Sequence, residues 1–403
     1  MSSFDSLAAL RERQFRLFFT GQLISLLGDS FTTVALAFAV LDLTGSATDL
    51  GIVYAAKTIP LVAFLLVGGV FADRLPRRAV MITADVTRMG AQGVVAALIL
   101  THNAQIWEIA LLQAVSGTAT AFFNPASTGL TPLTISPERL QQANALRGVS
   151  MAASGLVGLA IGGTLVSVVG PGWALAVDAA SFGVSALFLY LLQLPAHIHL
   201  PPQSFFADLR EGWHEFSSRT WVWVIVVSAS LGNMMTSIFI VLCAFVSKTS
   251  LGGPKAYTLI LAGLSVGSIV GGVISLHVHA RRPLFFGASL LGFLAVPTAL
   301  LALGAPAPVV ALGTLLAGIG NMIFNSLWET SLQQHIPSAA LSRVSAYDWF
   351  GSLAFQPLGL IVAGPAAAAI GTSTTLWISA TGSLCTAALA IAPRSVRSLR
   401  AVA

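Results

Sequence analysis

Charged side chains are scarce in this sequence. Asp, Glu, Lys and Arg make up 9% of its 403 residues, against about 25% in an ordinary soluble domain, so a surface built from it would not stay in water. Cysteine is scarcer still. Cys243 and Cys385 are the only two, which excludes a disulfide framework, and both fall inside apolar runs where a thiol packs as a small hydrophobe. No G-x-x-x-x-G-K-[ST] loop occurs to hold ATP, and neither H-E-x-x-H nor G-x-S-x-G is present. The seven His residues include His197/His199 and His277/His279 but show no metal-ligand spacing beyond those i, i+2 pairs. No metal, no other cofactor and no enzymatic centre is therefore expected. Basic runs of five or more residues are also missing, so the net charge of +5 does not signal nucleic-acid binding.

What the sequence has instead is apolar length: 56% of it is hydrophobic. Cut at its turn signals, it falls into stretches of about 20 residues, enough for a helix to cross a hydrocarbon core of about 30 Å. Twelve spans are expected, at about 16–41, 49–72, 79–100, 105–130, 147–169, 173–193, 221–246, 257–277, 284–303, 309–332, 345–369 and 374–392. The first follows Arg11, Arg13 and Arg16, has no small-residue cleavage site behind it and is too long for a signal segment, so it is expected to be retained. Of the 20 Lys and Arg residues, 16 fall in loops on the side that would hold both termini, two (Lys248 and Lys255) on the other side, and two (Lys57 and Arg88) within spans. This asymmetry places both termini in the cytoplasm of a multi-pass protein of the plasma or inner membrane.

The longest polar connection, about 195–220, divides the chain into an expected bundle of six helices over 1–194 and another over 221–403. Within the linker, Phe205, Phe206, Leu209, Trp213 and Phe216 share one helical face, opposite Asp208, Arg210, Glu211 and Glu215. That pattern predicts a helix along the cytoplasmic interface. The halves also repeat each other. Shifted by 204, Leu27-Gly28-Asp29 falls on Leu231-Gly232-Asn233 and Arg77-Arg78 on Arg281-Arg282; shifted by 201, Phe123-Asn124 falls on Phe324-Asn325 and Gly158-Leu159 on Gly359-Leu360. Duplicated bundles of this kind build transporters with substrate near the bilayer midplane.

The segment from Gly69 to Arg78, G-V-F-A-D-R-L-P-R-R, resembles the signature loop of the major facilitator superfamily, G-x-x-x-D-R-x-x-R-R. Phe123-Asn124-Pro125-Ala126, Pro137-Glu138-Arg139-Leu140, Ala143-Asn144-Ala145-Leu146 and Asp178-Ala179-Ala180-Ser181-Phe182 are similar to a branch of proton-driven exporters that includes macrolide efflux proteins and the enterobactin exporter. The resemblance implies an all-α fold of two pseudo-symmetric six-helix bundles. It also implies that Asp73, between Gly69 and Arg74, caps span eleven, and that an arginine of the loop (Arg74, Arg77 or Arg78) pairs with a carboxylate on that helix, for which Asp348 is the nearest match. Two departures stand out. Antiporters of the superfamily carry G-P-x-x-G-G in span five, where this chain has Gly158-Leu159-Ala160-Ile161-Gly162-Gly163, and the second-half copy of the loop has His277 and Val278 at the positions of Asp73 and Arg74.

Ionisable groups at membrane depth are functional candidates because they cost several kcal/mol unless paired or hydrated. Asp29, about 13 residues into span one, is the leading candidate for coupling to protons, with a helix-packing hydrogen bond as the alternative. Asp85 and Arg88 are spaced to pair on one helix face. Lys57 could neutralise Asp29 or attract an anion. Asp178 lies near the outer end of span six, where capping and water exposure compete with transport chemistry, and Glu108 is expected at the outer interface. Gly158, Gly162 and Gly163 predict close helix crossings. Pro125, Pro297 and Pro357 are expected to interrupt spans four, nine and eleven. Phe123, Asn124, Asn233, Phe239, Asn325, Trp328, Phe355 and Gln356 are candidates to line a cavity for a bulky amphipathic compound. The resulting expectation is a monomeric secondary exporter of a drug, macrolide or siderophore, working by proton antiport and alternating access. An importer or facilitator of the same fold, and a non-transporting sensor or lipid-handling scaffold, remain as alternatives.

Overall fold

In lipid every backbone N–H and C=O has to be satisfied within the protein, which leaves helices as the economical solution for long apolar runs. A computed structural model describes residues 9–194, 205–278 and 280–400, without the side chains of 66–74, 141, 145, 152, 205–209, 211, 338–340, 342 and 343. Among the described residues there are helices and no strands. In chain order the long helices are α1 (Arg13–Thr44), α2 (Ala47–Arg74), α3 (Arg77–Leu100), α4 (Ile106–Thr134), α5 (Leu140–Val169) and α6 (Pro171–Tyr190). They are followed by α7 (Phe205–Ser217), α8 (Thr220–Val246), α9 (Pro254–Ser275), α10 (Pro283–Leu290), α11 (Ala295–Ala302) and α12 (Ala307–His335). The chain ends with α13 (Ser338–Leu353), α14 (Gln356–Ile370), α15 (Thr372–Ile391) and the short α16 (Arg394–Ser398).

Eleven segments among the described residues are long and apolar enough to cross a membrane. The helix that would make twelve, α3, has 24 residues, a length of about 36 Å at 1.5 Å per residue, but carries Arg77, Arg78, Asp85 and Arg88 and falls short in apolarity. Two spans are built from broken helices. In span nine, α10 passes through a 3-10 turn, Leu291–Leu294, into α11, where Pro297 lacks the N–H for the Phe293 carbonyl and its ring crowds that carbonyl. In span eleven, the break between α13 and α14 precedes Pro357, and it is tied down from α8: the Phe355 N–H donates to Ser230 Oγ at 3.1 Å, and Asn233 Nδ2 donates to the Ser352 carbonyl at 2.9 Å. Pro125 behaves otherwise than expected. α4 runs unbroken through it, because losing one N–H is tolerated where the flanking turns keep their bonds.

The chain divides into two compact units, Met1–Leu43 with Ala56–Pro202, and Thr44–Ala55 with Gln203–Ala403. The start of α2 belongs to the second unit through small residues: a Cβ on Gly51 would lie 2.1 Å from the Leu360 carbonyl oxygen, and one on Gly364 2.3 Å from Thr48 Cα. In the same unit α9 lies against α12, where a Cβ on Gly267 would meet the Leu315 carbonyl at 2.0 Å. The linker forms α7, although the side chains of Phe205, Phe206, Asp208, Leu209 and Glu211 lie outside the described residues, as do His197, His199 and His279. Phe216 is buried in the protein's own core and packs on Tyr347 of α13 at 5.8 Å, while Trp213 stacks on Phe216 at 5.7 Å and is 55% exposed. The last turn of α7 therefore docks on protein, and Trp213 is the described ring that faces outward.

Candidate functional site

In the first unit α1, α3, α4 and α6 bring a chain of polar side chains into an apolar interior. Gly28 sets the approach of α1 to α6, since a Cβ there would lie 2.1 Å from Ser181 Oγ and 2.6 Å from Asp178 Oδ1. One turn further along α1, Thr32 donates to Asp178 Oδ2. Thr32 Oγ1 in turn accepts from Gln92 Nε2 of α3 at 3.1 Å, and Gln92 Oε1 accepts from Gln113 Nε2 of α4 at 3.1 Å. All four residues are buried, Asp178 to 1% exposure. Water exposure of Asp178, one of the readings its position near the helix end allowed, is thus corrected: α1 and α3 cover it.

One turn along α3 from Gln92, Arg88 gathers the charges. Its guanidinium pairs with Asp85 of the same helix and reaches Asp29 Oδ2 of α1 at 3.7 Å. It also lies over the rings of Phe123, at 4.2 Å, and Phe182, at 4.3 Å. A guanidinium taken out of water is held here by two carboxylates and two aromatic faces, each of which replaces part of its lost hydration. The side chains of Arg88 and Asp85 are 3% and 0% exposed, whereas Asp29 is 37% exposed. Arg88, and not Lys57, is the cation at Asp29. Lys57 makes no ion pair among the described residues, and its carbonyl lies at the crossing with Gly117 of α4. Asp29 and Asp85 thus share the buried Arg88, while Asp178 stands in the field of both Lys57 and Arg88, so that three carboxylates face two cations. Such an excess is relieved by taking up a proton or a cationic ligand, and Asp29 is the member open to solvent.

Around this cluster α5 crosses α1 closely. A Cβ on Gly158 would lie 2.5 Å from Ser30 Cβ, and one on Gly162 2.8 Å from Phe31 Cα, while buried Gly163 accepts a bond from Ser167 at 2.7 Å. Glu108 completes a capping box with Gln105 at the start of α4. Elsewhere in the unit, Arg77 donates to the Gly129 carbonyl and Arg78 to the carbonyls of Leu189, at 2.9 Å, and Tyr190. Both arginines so meet the negative ends of α4 and α6. The side chains of Gly69, Asp73 and Arg74 lie outside the described residues. Asp348, expected to face an arginine, accepts from Trp328 Nε1 at 2.9 Å and Ser352 Oγ at 3.2 Å within its own unit.

The second unit holds a cavity of about 350 Å³ lined by α8, α12 and α13, with contributions from spans nine and twelve. Asn233, Asn325, Trp328 and Asp348 line it, whereas Phe239, Phe355 and Gln356 do not. Phe239 is buried in α8, Phe355 lies at the break before α14, and Gln356 opens α14. Of the two candidates in the first unit, Phe123 packs on Arg88 and Asn124 is exposed on α4. Sequence reasoning overlooked Glu329, an acid two turns from the end of α12 that lines the cavity. Its signal was a lone carboxylate at the tail of an apolar run. It also overlooked Thr32, Gln92 and Gln113, uncharged residues that no motif marks.

A family model described as Major Facilitator Superfamily matches residues 18–354. The chain belongs to that superfamily. Among curated relatives, the multidrug efflux pump Tap of Mycolicibacterium fortuitum is 29% identical over 375 residues, covering 86% of this chain and 88% of that protein. Macrolide efflux protein A of Streptococcus pyogenes is 21% identical, covering 96% and 97%. Among solved structures, the nucleoside transporter NupG superposes with a TM-score of 0.73 at 17% identity, covering 94% of this chain and 98% of that one. A bacterial homologue of the human lysosomal transporter Spinster gives 0.73 at 16%, covering 97% and 98%. At such identities the structures show the fold alone. The protein is a multi-pass membrane transporter, not an enzyme.

Proposed function

We propose that this transporter exports small amphipathic compounds, drugs or macrolides among them, in exchange for protons. The observation that carries the reading is the cluster of Asp29, Asp85 and Asp178 about Arg88 and Lys57, three acids to two cations, with Asp29 partly open to solvent. A site with surplus negative charge in a low-dielectric interior binds a proton when open to the more acidic side and gives it up when Asp29 meets the other. The names of the relatives support the direction and the kind of substrate. The remaining parts of the proposal are α3 as the twelfth span, both termini in the cytoplasm, a monomer of two six-helix halves, and a latch between the halves built on Asp73. Exchange then follows by alternating access.

The test is efflux from cells expressing the protein, against a panel of dyes, macrolides and siderophores, with and without an uncoupler. Export that collapses when the proton gradient is dissipated is expected. Export that persists at full rate would replace antiport by facilitated diffusion, and net accumulation of the compounds would turn the proposal into import.

A further inference from the structure

The hydrogen bonds that lead to Asp178 all run in one direction. Gln113 Nε2 of α4 donates to Gln92 Oε1 at 3.1 Å, Gln92 Nε2 of α3 donates to Thr32 Oγ1 at 3.1 Å, and the Thr32 hydroxyl of α1 donates to Asp178 Oδ2. Each donor points at the next residue and the last at the acid, the polarity that an ionised carboxylate demands because it can only accept. At the two ends of the chain, Asp178 Oδ1 and Gln113 Oε1 are buried without a hydrogen-bond partner. The residues between are buried as well, so water does not replace a bond that is lost. A proton added to Asp178 therefore has few places to go. On Oδ1 it is an orphaned donor, desolvated without a partner. On Oδ2 it faces Thr32 Oγ1, whose own hydrogen occupies the line between them. Turning the chain over removes the conflict. Asp178 O–H then donates to Thr32 Oγ1, the Thr32 hydroxyl to Gln92 Oε1, and Gln92 Nε2 to Gln113 Oε1, once both amides rotate by half a turn. The same three links are bonded in either direction, and the Gln113 Oε1 that is orphaned in the first is paired in the second.

We propose that Thr32, Gln92 and Gln113 are positioning residues for proton binding, a chain of dipoles that reverses when Asp178 takes up a proton and so reports its protonation from α6 through α1 and α3 to α4. Hydrogen bonds in a low-dielectric interior polarise one another. An element with two arrangements of equal bond count is biased by whatever changes at either end. No proton travels along the chain. The added proton stays on Asp178 Oδ2, and only the orientations of one hydroxyl and two amides change. The charged groups that act on Asp178 are Asp29 of α1, Lys57 of α2 and Arg88 of α3. They fix the net charge around the acid, whereas the chain is neutral and responds to that one carboxyl. The inference rests on the antiport reading only for the source of the proton during transport.

The experiment is infrared difference spectroscopy of the full-length protein in detergent between alkaline and acid pH, with ordinary and isotope-labelled glutamine. Acidification is expected to raise a protonated-carboxyl band that Asp178→Asn lacks. With the same midpoint, side-chain amide bands should shift, identified in wild type by the label and reduced in Gln113→Met. Thr32→Val keeps the shape of the side chain but removes a charge-assisted bond from the ionised acid and only a neutral one from the protonated acid. It should move the midpoint up by about one pH unit, and Thr32→Ser should restore it. A merely structural role would change stability and leave the midpoint where it is. Each variant is checked for a single symmetric peak on size exclusion, and the labelled wild type needs no variant to fold. The chain is overturned if the carboxyl band rises with the amide bands unchanged, if no Asp178-dependent carboxyl band appears at any pH, or if folded Thr32→Val titrates as wild type does. Failure of the antiport reading is distinguishable. Amide bands that follow Asp178 in a protein that exchanges no protons for drug overturn antiport alone, and proton-driven export with silent amide bands overturns the chain alone.

Discussion

Replacing Arg88 by Gln isolates the electrostatics of the first unit. The side chain is 3% exposed, pairs with a fully buried Asp85, and has Asp29 at 3.7 Å. Removing one partner of a buried pair leaves the other charged and desolvated, at a cost of about 3–5 kcal/mol. Asp85 can escape by taking up a proton. From an ordinary carboxyl pKa of about 3.9, protonation at pH 7 costs about 4 kcal/mol, which caps the loss, and each pH unit below 7 returns about 1.36 kcal/mol. Arg88→Gln is therefore expected to unfold well below wild type at pH 7 and to recover by about 2.7 kcal/mol at pH 5. Because removing both partners leaves no stranded charge, Asp85→Asn combined with Arg88→Gln should restore most of the stability. The assay is thermal unfolding of detergent-purified protein followed by tryptophan fluorescence. A single variant as stable as wild type, or a double variant no better than the single, would mean that Arg88 does not offset a buried charge on Asp85.

Three further outcomes are expected. Gly158→Leu should abolish transport and lower stability by a few kcal/mol, because the first added carbon already meets Ser30 at 2.5 Å and overpacking typically costs about 1–3 kcal/mol; unfolding midpoints and flux check it. Glu12, just before α1, loses hydration where it packs, which pushes its carboxyl up, but bonds from the Ser136 hydroxyl and N–H and from Arg139 outweigh this and hold it below the usual range. Its contribution is present above the unfolded pKa and lost as pH falls through the folded one, so acidification below about pH 4 should destabilise wild type more than Glu12→Gln in pH-dependent melts. Asp73→Asn should impair flux while leaving the protein inserted at wild-type level, measured by transport against surface labelling.

Much of this fold is legible in the sequence because lipid imposes a single rule on long apolar runs, and the repeat in numbering is a local property of the chain. The Asp85–Arg88 pair is legible for a similar reason, being an i, i+3 spacing on one helix. Contacts between helices are another matter. That Arg88 reaches Asp29 and not Lys57 does, or that Asp178 is sealed by Thr32, depends on helix rotation and on the approach that Gly28 permits, which no single span reveals. Proline shows the same limit. Pro297 and Pro357 lie at breaks and Pro125 does not, although each lacks the same N–H, because the surrounding packing decides whether the helix yields. The repeat supplies a last example: Asn233 occupies the position of Asp29 but bonds the Ser352 carbonyl at the break in span eleven, so related positions have diverged from charge handling to backbone support.

Counterflow in proteoliposomes measures directly whether the proposed proton carrier is the carboxylate cluster of the first unit. Purified wild-type protein or Asp29→Asn is reconstituted with a transported drug inside and a pH-sensitive dye reporting the lumen. Wild type should acidify the lumen as drug leaves, with both fluxes abolished by an uncoupler when the gradient is the driving force. Asp29→Asn should bind drug but move neither drug uphill nor protons. Proton-driven flux at the wild-type rate in that variant would contradict the account.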